Sequence, residues 1–313
     1  MIKTVVSAAL PIDERLLIKK NVWTNGSSGK RICIVTGTHG DELEGQYVCF
    51  RLNQVMKQQF DKLDGSIEIY PALNPLGIDS LTRGIPNFDL DMNRIFPGDP
   101  NGALAEATAY AVCNDLKGAD MVIDIHSSNI FLREVPQVRI NVNTADTLVP
   151  YARLLNLDFI WVHEAATVLE STLAHSLNSV GTPTLVVEMG VGMRVNHRFG
   201  NLLVTGILNL MNHLGMWKTP IDRSLISQPV LSVADEVSFI NADCSGVFLT
   251  EVKNNIVIDE GEEIGQVVSP LTGEVLQDVV SPVRGLMFTL RAYPVVYEGS
   301  LLARIHHLNN DRP

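Results

Sequence analysis

Between about residues 30 and 217, short apolar runs alternate with segments whose apolar residues recur at helical spacing. Arg31–Thr36, 67–71, 121–125, 138–142, 158–162 and 183–188 read as strands, and 42–60, 103–117, 146–155, 170–180 and 197–217 as helices. Within 42–60, Leu43, Tyr47, Phe50 and Val55 mark the helical period. The strands are nearly continuous in apolar residues, Met121-Val122-Ile123-Asp124-Ile125 for example, as parallel strands covered on both faces must be. This alternation predicts an α/β fold: a doubly wound, mostly parallel sheet with helices on both faces.

Two stretches break the rhythm. Residues 73–98 carry Asn74-Pro75, Gly77, Gly84, Pro86 and Pro97-Gly98 and read as a long irregular loop, which in a compact domain is usually functional or disordered. From 218–228 onward the pattern changes to short β-like runs punctuated by Asn254-Asn255, Glu260-Gly261, Thr272-Gly273, Arg284-Gly285 and Glu298-Gly299. These predict a small all-β domain over roughly 231–305, with turns resembling those of biotinyl/lipoyl-like barrel-sandwich folds. A carrier lysine is not found at the hairpin tip, the nearest being Lys253, which argues against a swinging arm. The expected division is 1–220 and 221–313.

A chain of 313 residues with 46% hydrophobic content can bury a core of that size. The net charge of −11 and pI near 5.2 argue against a nucleic-acid partner, which would favour a basic face. Cys33, Cys49 and Cys113 lie in apolar runs or on helix faces and read as small buried hydrophobes, so no disulfide framework is expected. The N-terminal apolar piece 5–10 is too short for a signal peptide, and 201–217, interrupted by Asn209, Asn212 and His213, is too short to span a membrane. A soluble, cytoplasmic protein is expected, and a homo-oligomer is compatible with it.

Three strand ends carry chemistry. Arg31–Thr36 runs into Gly37-Thr38-His39-Gly40-Asp41-Glu42, strand 121–125 into His126, and strand 183–187 into Glu188. Each residue taken alone reads better as a capped strand end or a satisfied histidine. Their shared placement matters more, because ligands of open α/β sheets bind outside the carboxyl ends of the strands. His39, Glu42 and His126 form a His₂Glu set suited to one Zn²⁺ per chain, with the fourth position left for water. Glu188 is then the candidate general base and general acid, and Arg83 a donor for a developing oxyanion. Asn93 and Arg94 suit a substrate carboxylate, Arg94 offering a bidentate fork.

His39-Gly40-Asp41-Glu42-Leu43-Glu44-Gly45, Arg83, Asp91-Met92-Asn93-Arg94-Ile95-Phe96-Pro97-Gly98, Asp124-Ile125-His126 and Glu188-Met189-Gly190 resemble the succinylglutamate desuccinylase/aspartoacylase family, in order across most of 30–190. The resemblance implies a zinc carboxypeptidase-like fold and zinc-dependent hydrolysis of a small N-acyl amino acid. It makes His39, Glu42 and His126 ligands, Glu188 the catalytic carboxylate, Arg83 the carbonyl polariser and Asn93-Arg94 the carboxylate clamp. Met92 replaces the usual leucine, a volume-conserving change. A further arginine that aspartoacylases carry shortly before the catalytic glutamate has no match, since 170–184 contains none. That favours a monoanionic or cationic N-acyl substrate, such as an acetylated diamino acid, over N-acetylaspartate.

Asp124, Glu164 and Glu170 are candidate negative groups, Asp124 equally a residue that orients a ligand. Tyr293 and Tyr297 from the β domain and His163 near a strand end are candidate substrate contacts, with packing inside their own elements the competing reading. Two alternatives to the deacylase stand: a peptide-trimming zinc carboxypeptidase, disfavoured if the β domain caps the cleft, and a non-catalytic zinc or ligand-binding module, which has no need of Glu188.

Overall fold

The computed structural model describes residues 1–86, 88, 90–164, 170–233 and 236–308. Residues 87 and 89 of the 73–98 loop, and 234, 235 and 309–313 of the predicted β domain, lie outside the described residues. The chain opens with β1 (Ile2–Ala9) and β2 (Arg15–Asn25), followed by β3 (Arg31–Thr36), α1 (Glu44–Gln58), β4 (Gly65–Tyr70), α2 (Pro75–Ser80) and α3 (Leu104–Leu116). Next come β5 (Met121–His126), β6 (Leu132–Asn141), α4 (Ala145–Ala152), β7 (Phe159–His163), α5 (Leu173–Asn178), β8 (Thr184–Gly190) and α6 (His197–His213). The remainder is β9 (Val230–Ser232), β10 (Val237–Asn241), β11 (Gly246–Leu249), β12 (Ile256–Ile258), β13 (Glu263–Val268), β14 (Val275–Val280), β15 (Gly285–Arg291), β16 (Val295–Val296) and β17 (Leu301–His307).

The centre of the large sheet is parallel, in the order β4-β3-β5-β8. Along each of these strands, alternate residues enter two different cores. Ile32, Ile34, Met121, Ile123, Ile125, Leu185, Val187 and Met189 pack with Val48, Leu52 and Met56 of α1 and Leu203, Ile207 and Leu210 of α6. Cys33, Val35 and Val122 pack on the other face with Ala105, Ala109 and Val112 of α3 and Leu173 and Leu177 of α5. Both faces are therefore dry, which is why the strands read as unbroken apolar runs. The three cysteines of this region are buried and unpaired, and burial pushes the Cys33 and Cys49 thiols up to about 12.

From β3 the chain crosses by α1 to β4 on one side, then returns by α3 to β5 on the other. Crossovers leaving in opposite directions open a crevice at the carboxyl ends of β3 and β5, the usual ligand position of such sheets.

The outer parts of the sheet are mixed. β1 and β2 form an antiparallel hairpin added to β4, which the pattern from residue 30 onward did not include. β6 runs antiparallel to β8, with a bulge between Glu134 and Gln137 that accommodates Pro136, a residue unable to donate to a ladder. β6 begins at Leu132, six residues before the predicted strand 138–142, and the 73–98 loop contains the short α2. The C-terminal part is an antiparallel β domain with its own core of Ile240, Phe248, Ile264, Val267, Met287 and Leu302 among others. β14, β13, β11 and β16 make a four-stranded antiparallel sheet, whereas β15, β17 and β10 extend the large sheet through pairing of β15 with β6. Among the described residues, no helix is long and apolar enough to cross a membrane.

Candidate active site

The turn after β3 is shaped by two glycines. Gly37 has φ +68°, a left-handed conformation that favours glycine. Gly40 lies against the first turn of α2, so closely that a Cβ there would stand 2.0 Å from the Gly77 carbonyl carbon. The turn thereby brings His39 and Glu42 over the end of β5, where Asp124 and His126 alternate with the core residues of the opposite face.

His39, Glu42 and His126 are buried and converge, with one potential ligand atom from each within 4.8 Å of the others. His39 Nδ1 lies 2.8 Å from Glu42 Oε1, and His126 Nδ1 lies 2.9 Å from Glu42 Oε2. Both rings thus turn Nδ1 inward. Their outer nitrogens meet carboxylates: His39 Nε2 is 3.0 Å from Asp91 Oδ1, and His126 Nε2 is 3.2 Å from Asp124 Oδ2. A carboxylate on the far nitrogen fixes the tautomer and raises the basicity of a metal-binding imidazole.

The electrostatics fit a cation. Burial alone would raise the Glu42 carboxyl, but His39 and His126 reverse this and hold it well below the usual carboxylate range. Burial disfavours the charged imidazoles, yet Asp124 and Glu42 draw His126 well above its ordinary value, and Glu42 and Asp91 draw His39 above its own. Asp124 is buried, with Oδ2 3.2 Å from His126 Nε2, so a second carboxylate stands behind the His126 ring. The donor set and the carboxylates behind its imidazoles suit a divalent metal of the zinc type.

Glu188 ends the cleft-facing row of β8 and lines the same cleft as the trio. Burial pushes its carboxyl up, against the pull of Arg139 and His126, and leaves it above its ordinary value. Arg83 donates to Glu42 Oε1 at 2.8 Å and approaches Asp91 Oδ2 at 3.4 Å. Asn93 also lines the cleft, with Oδ1 accepting the Leu173 N–H at the start of α5 (2.9 Å), and Arg94 lies exposed at the rim, donating to the Asn93 carbonyl. The structure thus brings together the seven residues to which the sequence assigned ligand, catalytic or clamp roles: His39, Glu42, His126, Glu188, Arg83, Asn93 and Arg94.

The cleft has a volume of about 470 Å³ and continues past Glu188 along β6 and β8. His163 lines it, its ring tilted against that of Trp161. Tyr293 and Tyr297 do not. Tyr293 packs edge-on against Phe131, just before β6, and Tyr297 is exposed, so neither enters the cleft and neither is packed inside the β domain. Glu164 and Glu170 are likewise absent from the lining.

Four further residues at the site carried no assigned role in the sequence. Asp91 stood inside the quoted motif, where its adjacency to Asn93 was the available signal. Arg139, Glu134 and Arg304 form a buried ionic group beside Glu188: Glu134 Oε1 accepts from Arg139 and from Arg304, each at 3.0 Å, while Arg139 Nη1 stands 3.3 Å from Glu188 Oε1. Arg139 was visible as a charge within an apolar strand. Arg304 offered no signal, because its place depends on the pairing of β15 with β6.

The profile of the Succinylglutamate desuccinylase/Aspartoacylase catalytic domain matches residues 28–214. The chain belongs to this family. The desuccinylase/aspartoacylase match spans every element that delivers a site residue from β3 to β8. One relative, the N-alpha-acetyl-L-2,4-diaminobutyric acid deacetylase of Halomonas elongata, is 23% identical over 253 residues, covering 76% of this chain and 70% of that protein. Two solved structures show the same fold along nearly the whole length. A succinylglutamate desuccinylase from Silicibacter sp. TM1040 has a TM-score of 0.82 at 22% identity, covering 94% of this chain and 90% of that one. The product-bound ectoine utilization protein of Ruegeria pomeroyi has a TM-score of 0.83 at 20% identity, covering 98% and 95%.

Proposed function

We propose that this protein is a zinc-dependent deacylase that hydrolyses the amide bond of a small N-acyl amino acid or related N-acylated amine. The observation that carries the reading is Glu188, a carboxylate on the cleft shared with the buried His39–Glu42–His126 trio and Arg83. The fold is read as zinc carboxypeptidase-like, with residues 1–220 as the catalytic domain and 221–313 as a β domain that caps the cleft. Arg304 in the cleft lining supports the capping.

His39, Glu42 and His126 would hold the ion, with Asp91 and Asp124 orienting the two imidazoles. Bound there, a zinc ion would supply Lewis acidity, polarising a carbonyl and bringing the pKa of water towards about 7. Glu188 takes the proton of the attacking water and returns it to the departing nitrogen as the C–N bond breaks. Arg83 uses guanidinium donors beyond those engaged by Glu42 and Asp91 to stabilise charge on the carbonyl oxygen.

The cleft charges bear on the substrate. Arg83 is paired with Glu42 and Asp91, Arg139 with Glu134 and Glu188, and Arg304 with Glu134. Among the described residues, Arg94 is the cleft guanidinium without a carboxylate partner. One free cation suits one substrate carboxylate, in keeping with a monoanionic N-acyl amino acid. The H. elongata deacetylase, whose name specifies an acetylated diamino acid, lies in the same direction.

The test is zinc content and hydrolysis measured together on wild type and Glu188→Gln, against a panel of N-acetyl and N-succinyl amino acids. About one zinc per chain in both proteins, with turnover in wild type alone, supports the reading. Zinc without turnover on any substrate favours the binding module, and absence of zinc refutes the metal site.

A further inference from the structure

The register of the strands lines up a row of polar side chains running from the C-terminal domain to the catalytic carboxylate. Arg304 of β17 is opposed by Thr289 of β15, and Thr289 by Glu134 of β6. Glu134 in turn is opposed by Gly190 of β8, two residues beyond Glu188. Directly opposed residues share one face of a sheet and lie within side-chain reach. Gln137 opposes Glu188 itself, and Arg139 lies two residues farther along β6, diagonal to it.

Glu134 is fully buried and fully occupied. Its Oε1 takes N–H donors from Arg139 and Arg304, and its Oε2 takes the Gln137 amide at 2.9 Å and the Thr289 hydroxyl. A carboxylate with four donors has no lone pair left for substrate or water, so its role is to hold its partners. Arg304 is held by aromatic rings as well, its guanidinium lying 5.3 Å from the centre of Trp161 and 5.6 Å from that of Phe239. Arg139 also lies over Trp161, at 5.6 Å. Arg139 therefore has one anchored end on Glu134 and presents Nη1 to Glu188 at 3.3 Å.

We propose that Arg139 is the positioning residue for Glu188, and that the C-terminal domain sets it there through Arg304 and Thr289 acting on Glu134. The β domain then completes the catalytic apparatus from behind as well as covering the cleft. Buried ionic groups of this kind hold geometry only while every member is present, because removing one leaves its partners charged and unpaired.

The inference rests on the hydrolytic reading for its kinetic arm alone. The experiment compares zinc-loaded wild type with Arg304→Gln, Arg304→Lys and Thr289→Val, by crystal structure and by steady-state kinetics. In Arg304→Gln, Arg139 is expected to leave Glu188 and the Glu188 carboxylate to shift. A displacement of about 1 Å can lower kcat on the order of 10²-fold, with KM and zinc content close to wild type. Arg304→Lys, which keeps a charge on Glu134, is expected to recover part of kcat, which a loss of general packing would not allow. Thr289→Val removes only a hydroxyl donor and gives a smaller fall in the same sense, so the idea remains testable if Arg304→Gln does not fold. A Glu188 carboxylate unmoved in these variants, or kcat unchanged in both Arg304→Gln and Thr289→Val, overturns the proposal. Should wild type hydrolyse no N-acyl amino acid, the deacylase reading falls, while the crystal structures still decide whether Arg304 sets Arg139 against Glu188.

Discussion

Asp91 Oδ1 lies 3.0 Å from His39 Nε2, on the ring edge turned away from Glu42. The same oxygen accepts the Asn93 N–H at 2.8 Å, and the other oxygen stands 3.4 Å from Arg83 Nε. One carboxylate thus orients His39, Arg83 and the turn that carries Asn93 and Arg94, the proposed metal ligand, carbonyl polariser and substrate clamp. Asp91→Asn is expected to weaken zinc binding by about 10–100-fold, read by competition with a chelator of known affinity. Unaltered affinity would show that His39 is oriented by the turn alone.

Arg94 stands at the cleft rim without a carboxylate partner among the described residues. Arg94→Ala should raise KM for substrates bearing a free carboxylate and leave kcat nearly intact. A charge-assisted hydrogen bond of about 1.5–3 kcal/mol corresponds to roughly 10–100-fold in kcat/KM. Substrates with that carboxylate esterified should be indifferent to the change, and an equal loss on both would contradict the clamp.

Away from the site, Lys20 is buried on β2 and donates to Asp115 (2.6 Å), Glu68 (2.8 Å) and Tyr70 Oη (3.0 Å). Burial alone would lower its pKa, but Asp115 and Glu68 prevail and hold the ammonium above its usual value. Burial, with Cys33 and Glu68, pushes the Tyr70 phenol far up. In both groups the folded chain holds its proton more tightly than the unfolded chain. Their contribution is complete below the unfolded values, about 10 for Tyr and 10.4 for Lys, and is lost as pH climbs beyond them. Urea midpoints should therefore fall as pH rises above about 10, and the fall should flatten in Lys20→Met/Tyr70→Phe. An equal slope in the double variant would assign the alkaline loss elsewhere.

Gly40→Ala places a methyl group 2.0 Å from the backbone of Gly77. Neither partner is a side chain that can swing away, so the turn carrying His39 must move. A loss of about 1–3 kcal/mol in stability and weaker zinc binding are expected together, measured by thermal melts with and without chelator. A melt lowered without any change in metal affinity would separate the turn from the ligand it carries.

The parallel centre and its three chemical strand ends were legible because β3, β5 and β8 are covered on both faces, so each reads as an apolar run until it reaches the crevice. The hairpin at the N-terminus was not. In β2 the inward phase is Leu16, Ile18, Lys20 and Val22, and a lysine in that phase reads as a solvent position. Its burial depends on Asp115, 95 residues away. The same holds for Glu134 and Arg304, 170 residues apart, whose meeting follows from strand order and leaves no local pattern. Tyr293 and Tyr297 looked like cleft residues from their position in the β domain, but the fold turns them to Phe131 and to solvent.

The pairing of Thr289, Leu290 and Arg291 with Glu134, Arg133 and Leu132 makes β6 a shared rib of both halves of the molecule. A polypeptide ended after the last helix of the αβ portion would leave that part of β6 with bare amide and carbonyl groups along an open edge. Such edges recruit strands from other chains. The tail is thus no detachable accessory, because it closes that length of β6 against other chains.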